Sequence, residues 1–243
     1  MGNKTGRVIV QGIEDLLGVS IPVLDKGFIK VIDYMGGDSS IESAARVSNG
    51  NFESSKKKTN LISYLLRNGH TSPFEMCELK LHIKMPIFVC RQWIRHRTAS
   101  VNEISGRYTT FKPDFYIPKH KNINPQSQSN KQGRSEESYS DEESEEMVRV
   151  FEEASDRAFD TYYYLCEDKG VAKELARTIL PLNTYTEIYW KIDLHNLLNF
   201  LKQRTHPHAQ YEIREYAKAI LDIVEKWCPE TFEVFKDLES CVD

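Results

Sequence analysis

CELKLHIKM, residues 77–85, alternates without a break. Cys77, Leu79, Leu81, Ile83 and Met85 are apolar, while Glu78, Lys80, His82 and Lys84 between them are polar or charged. Successive side chains of a strand point to opposite faces. Strict period-2 alternation therefore predicts a strand with one face in a core and the other against water or charged partners. Pro86 suits the first position of a following helix, IFVCRQWIRH (87–96), because its missing N–H would be unpaired there anyway. Residues 98–108 leave that helix as a polar loop.

Outward from this segment, FIKVIDYM (28–35) and TYTEIYWKI (184–192) are rich in β-branched and aromatic residues and predict two more strands. Helix signals lie between them. Ser39 opens one helix through Val47, Thr59 caps LISYLLRNGH, and Asp193 caps DLHNLLNFLKQR. HAQYEIREYAKAILDIVEKW reads as a long amphipathic helix. Met147, Phe151, Ala154, Ala158, Tyr162 and Leu165 form a helical stripe that stops at Gly170, and VAKELARTIL ends before Pro181. Residues 120–146 are polar and end in a dense acidic run, which predicts a solvated loop. The acidic end alternatively begins the next helix, where negative charge favours the helix dipole. Strands interspersed with helices, without regular βαβ spacing, point to an α+β fold.

Net charge is −4 and 28% of the residues are charged, which argues against a general polyanion binder and makes any basic site local. The five cysteines are odd in number and form no C-x-x-C pair, the pattern of a reduced, cytoplasmic protein. There is no apolar run long enough to cross a bilayer and no secretory signal. The N-terminus glances at a myristoylation signal but has Gly6 where Ser or Thr is wanted.

Against that acidic balance, RQWIRHRTASVNEISGRY (91–108) packs four arginines and a histidine. On a helix through 96, Gln92, Arg95 and His96 share one face, with Arg91 one turn above Arg95. Forked guanidinium donors at Arg97 and Arg107 suit phosphate oxygens, and Gly106 lets a backbone approach a ligand closely. Three readings compete. Pairing with the acidic run at 136–146 contributes little per pair, about 0–1 kcal/mol. A nucleic-acid site would want aromatic platforms or a longer basic stripe. A phosphorylated small molecule fits best. No phosphate-loop, dinucleotide, zinc-protease or serine-hydrolase signature is present. His206 and His208 without a third partner are weak metal ligands, so no metal is expected. Cys90, within an apolar helix, is expected in the core.

RHR at 95–97, seven intervening residues and then Ser105 resemble the signature of flavin-dependent thymidylate synthases. PIFVCRQW, GRY, GFIKVIDYMG, AARVS, GHTSPFE, LARTILPLN and NFLKQRTHPHAQYEI are similar to the same family. The resemblance covers about residues 23–235 of a single 1–243 domain, with a polar loop at about 118–146. It implies an α+β fold with a central, mainly antiparallel sheet flanked by helices, assembled as a homotetramer with shared active sites. It also implies methylation of dUMP to dTMP. Methylenetetrahydrofolate would give the carbon, FAD would carry the hydride and NADPH would supply the reducing power, with no nucleic acid or membrane partner.

Carried over by position, the resemblance places Gln92, Arg95, Glu103, Ile104, Ser105, Gly106, Arg107, Arg177 and Arg204 at dUMP. Ser72, Arg95, His96, Arg97, Glu103, Asp193, His195 and Asn199 fall at FAD, and His70 and Glu75 on the folate or flavin side. Arg204 is the catalytic assignment, stabilising the N3-deprotonated uracil so that C5 becomes nucleophilic. Ser105 is expected to bind substrate and not to attack it. Some relatives have Asn and Arg where this chain has Asp193 and His195, which changes what those side chains can offer FAD.

Overall fold

The computed structural model describes residues 6–47, 50, 60–129 and 132–240. The first half of the chain forms α1 (Gln11–Glu14), β1 (Ser20–Val23), β2 (Gly27–Met35), α2 (Asp38–Val47), α3 (Leu61–Arg67), α4 (Ser72–Glu75), β3 (Glu78–Pro86) and α5 (Ile87–Trp93). There follow β4 (Ser100–Glu103), α6 (Asp141–Tyr163), α7 (Lys173–Ala176), β5 (Tyr185–Asp193), α8 (Leu194–Arg204), α9 (Tyr211–Trp227) and α10 (Pro229–Ser240). Thr59, expected to cap α3, and Cys241 lie outside the described residues.

The alternating segment sits at the centre of an antiparallel sheet ordered β1-β2-β3-β5-β4. Leu79, Leu81, Ile83 and Met85 are fully buried and meet Ile29 and Val31 of β2, Ile188, Trp190 and Ile192 of β5, and the apolar faces of α8 and α9. Trp93 locks this layer: its ring centre lies 5.2 Å from Trp190, 4.6 Å from Phe200 and 6.0 Å from Tyr216. The other face of β3 carries cross-strand pairs: Glu78–Lys191 at 2.7 Å, Lys80–Asp33 at 3.7 Å and His82–Glu187 at 2.7 Å. Opposite charges across a ladder favour this register.

Several expectations change. Pro86 is the last residue of β3, still opposite Tyr185, and caps α5 from an extended backbone (φ −62°, ψ 146°). The first N–H groups of α5 instead find carbonyls outside the helix: Ile87 donates to Thr184 O at 2.9 Å and Phe88 to Leu182 O at 3.0 Å. α5 also ends at Trp93, three residues early, so His96 leaves the helix face expected to carry it. The segment read as a loop then becomes β4, an edge strand paired with residues 188–191 of β5.

The acidic end, from Asp141 on, begins α6, as the alternative reading had it, while residues 136–140 precede the helix. Ser140 Oγ accepts from Glu143 N at 3.3 Å while Glu143 Oε2 accepts from Ser140 N at 3.0 Å, a reciprocal cap. The buried stripe of α6 runs through Ser144, Ser155, Phe159 and Tyr162, leaving Phe151 and Ala154 exposed. The 111–117 segment sets this rotation: Phe115 packs 5.8 Å from Phe159, and Tyr162 and Tyr163 bond the Phe111 backbone. α10, where no element was expected, is capped by Asp38, which accepts from Glu230 N, Thr231 N and Thr231 Oγ1.

Candidate active site

α8 ends beside the end of α5, and the two bring Arg204, His96 and Gln92 together. Arg204 Nε donates to His96 Nε2 at 3.0 Å, and its Nη2 to the Gln92 carbonyl at 3.4 Å. Both partners are neutral. The half-buried guanidinium has no carboxylate partner among the described residues, and burial draws its pKa down. His96 packs edge-on against Phe200 at 4.9 Å. Burial, with the Arg204 charge beside it, lowers its pKa from 6.5 to about 4, so the ring is neutral and its Nε2 lone pair is available to Arg204. Arg95 and Arg97 are exposed beside this pair and also lack an ion pair among the described residues. Cations collected without counter-charges make a ready anion site.

β4 then carries the chain away from this cluster. From Ser100 to Glu103 three strand rises cover about 10 Å. Glu103 Oε1 accepts from the buried Thr186 Oγ1 at 2.7 Å, which fixes a carboxylate at the strand's far end. Beyond it the backbone turns: Ile104 N bonds Glu187 O, and Tyr108 N and Thr109 N bond Ser105 O. Ser105 Oγ accepts from Arg107 N at 3.3 Å, and no general base bonds it among the described residues. Gly106 is needed here, because a Cβ would lie 2.3 Å from Phe111 and 3.0 Å from Arg177 Cδ. Arg177 Cδ thus lies against the 104–107 turn. Arg107 Nε, however, is held by Glu174 at 3.1 Å, a surface pair that a stronger anion can displace.

Some of the residues expected at the flavin fall on two adjoining helices. α4, which carries Ser72 and Glu75, lies against α8, which carries His195 and Asn199. Exposed Asn199 accepts from Gln203 at 3.2 Å, and His70 stacks on Tyr64 at 5.7 Å. Asp193 does cap α8: its two carboxylate oxygens accept from Asn196 N at 2.9 Å and Asn196 Nδ2 at 2.8 Å. Its side chain is thus already engaged. The exposed guanidiniums of Arg95 and Arg97 are donors of the kind a dinucleotide's pyrophosphate takes, and α4 and α8 carry polar groups of the kind its hydroxyls take.

Elsewhere the chemistry is quiet. Cys90 is buried and its thiol is pushed up to about 12, which removes it as a nucleophile. His206 Nδ1 accepts from His208 N at 3.1 Å, and no metal-binding cluster occurs among the described residues. No described helix is long and apolar enough to cross a membrane. Sequence reading missed Thr186, which fixes Glu103, and Gln210, whose Oε1 accepts from Gln92 Nε2 at 2.5 Å. Gln210 lies inside the HAQYE stretch already noted, but nothing in its type marks it.

Residues 30–230 match the family model described as thymidylate synthase complementing protein. The flavin-dependent thymidylate synthase of Rickettsia bellii is 51% identical over 253 residues, covering 99% of this chain and 86% of the relative. That of Wolbachia pipientis is 50% identical over 244 residues, covering 100% and 84%. Among solved structures, a UMP/dUMP methylase from Streptomyces cacaoi bound with 5-Br UMP superimposes with a TM-score of 0.79 at 31% identity. The match covers 89% of this chain and 96% of that one. With an antiparallel sheet of the expected class and full-length relatives of one kind, the chain belongs to the flavin-dependent thymidylate synthase family.

Proposed function

We propose that the chain methylates dUMP at C5 to give dTMP, with methylenetetrahydrofolate as carbon donor, FAD as cofactor and NADPH as reductant. The observation that carries this reading is Arg204, a half-buried guanidinium held, among the described residues, by His96 Nε2 and the Gln92 carbonyl. A cation fixed by neutral partners keeps its charge for a ligand and needs no reorganisation as an anion develops beside it. Placed against the uracil ring, Arg204 favours loss of the N3 proton and delocalises charge towards C5. Arg95, Arg177 and Arg107 bind the nucleotide phosphate, with Ser105 and the 104–107 backbone closing around it. Glu103, immobilised by Thr186, accepts an N–H or O–H from the ligands. Bound FAD supplies the hydride.

Two features support a shared site in a homotetramer. The Arg204 cluster and the 103–107 turn stand at opposite ends of β4, and the side chains of that edge strand are exposed on both faces. An open edge strand is a ready surface for another copy. Purified protein should be yellow, bleach under NADPH, and release tritium from C5-labelled dUMP when folate is added. Arg204→Ala should abolish that release while the flavin stays bound, and Arg97→Ala should lower flavin content. A colourless protein, or an Arg204→Ala variant with normal turnover, would overturn the reading.

A further inference from the structure

Glu212, in the first turn of α9, is only 1% exposed. A buried carboxylate is costly unless it is paired, and this one is paired three ways. Arg134 Nη2 and Tyr116 OH (3.1 Å) donate to Oε1, and Gln210 Nε2 donates to Oε2 at 2.9 Å. The start of α9 adds the favourable end of a helix dipole. A carboxylate accepts and never donates, which fixes the orientation of the Gln210 amide: nitrogen towards Glu212, oxygen away. That oxygen can only receive a donor, and it receives Gln92 Nε2 at 2.5 Å. Gln92 is therefore fixed as well. Its NH₂ is turned to Gln210, and its Oε1 has no partner among the described residues. Without a carboxylate at the far end, each amide could turn over and offer either group, since oxygen and nitrogen are nearly isosteric.

We infer that Gln210 and Glu212 are positioning residues for the nucleotide: through the Gln92 amide they make position 92 present an acceptor, not a donor, to dUMP. The inference rests on the reading that Gln92 lines the dUMP pocket. The matching group on the ligand is the 3′-hydroxyl, since an acceptor on uracil N3–H would hold the proton whose loss Arg204 favours. Arg134 extends the chain of bonds to the polar loop, so that loop and nucleotide site share one network.

Dissociation constants for dUMP, read from the flavin absorbance of the FAD-bound enzyme, test this. Gln210 is solvent-exposed, so substitutions there leave the core intact. Gln210→Ala should weaken dUMP about two- to fivefold with unchanged flavin content and kcat, from the factor of two for an amide free to turn over up to the loss of one neutral hydrogen bond. Gln210→Lys puts a donor against Gln92 and turns its amide over. It should therefore bind dUMP more weakly than Gln210→Ala, although an added cation by itself favours the anionic nucleotide. Lysine binding as tightly as alanine, or alanine indistinguishable from wild type, overturns the inference. Gln92→Ala separates the two levels: if it too is silent, the pocket assignment falls, and if it alone weakens dUMP, only the positioning role falls. The 3′-deoxy analogue of dUMP identifies the donor. If it no longer distinguishes wild type from Gln210→Ala the partner is the 3′-hydroxyl, and if it still does the acceptor assignment falls.

Discussion

The neutral state of His96 can be tested by acid. Its Nε2 accepts from Arg204 at 3.0 Å, which requires an unprotonated nitrogen, and its pKa is lowered from 6.5 to about 4 by burial and the adjacent guanidinium. As pH falls, the unfolded chain takes up the proton near 6.5 and the folded chain only near 4. Stability is therefore complete above about pH 6.5 and is lost through the interval below it, because the unfolded state binds more protons there. At ~1.4 kcal/mol per pH unit the full interval corresponds to about 3 kcal/mol. The ring is only half-buried, and solvent screening reduces this to about 1–2 kcal/mol. His96→Gln keeps an acceptor oxygen near Arg204 and removes the titration. Urea unfolding of both proteins at about pH 7.5 and about pH 4.5, at one protein concentration and ionic strength, gives the comparison. Wild type should lose about 1–2 kcal/mol more than the variant. Equal losses would refute the argument that His96 is held neutral as the partner of Arg204.

Other expectations are simpler to read. Asp193→Ala should cost about 1 kcal/mol through loss of the α8 cap, while Asp193→Asn keeps the cap and the flavin; flavin lost from the Asn variant would mean the carboxylate touches the cofactor. Leu81→Ala, at the fully buried centre of β3, should lower unfolding free energy by about 2–5 kcal/mol, and a loss under about 1 kcal/mol would contradict the packing described. Burial pushes the thiols of Cys77 and Cys90 up to about 12, so a disulfide reagent near pH 8 should leave both unlabelled by peptide mapping until denaturant is added. Labelling of either in the native protein would show that α5 or the start of β3 opens readily.

The parts of this fold that announced themselves are those whose stability is written in side chains. The alternation at 77–85 survives because every second residue of β3 enters one core, and the β-branched run at 184–192 survives for the same reason. β4 offered no such sign. SVNE is exposed on both faces and is held by backbone pairing to β5, which any residue can supply. The early end of α5 is invisible for a related reason, since the chain leaves the helix to reach that ladder. The stripe of α6 was misplaced because Phe151 and Ala154 are apolar yet exposed, and only the 111–117 segment decides which face turns inward.

The candidate site divides along the same line. Residues of 91–108 were legible because so many arginines near one another, in a chain of net charge −4, demand an anion. The nearest internal candidate was the acidic run at 136–146. It fails for a structural reason: Ser140 and Glu143 cap α6 with each other, and the first-turn acids favour the dipole of their own helix. Arg95, Arg97 and Arg204 consequently keep their charge, whereas Arg107 is answered by Glu174 from outside the run. Thr186, Gln210 and Glu212 were illegible because each is ordinary alone. Glu212 in the first turn of an amphipathic helix reads as a solvent-facing charge, and Gln210 as a surface amide. Their significance lies in contacts with residues 96 and 118 positions away, and in a burial no local pattern encodes. The motif thus identifies which side chains meet the ligands, while the groups that fix how they are presented come from elements with no motif at all.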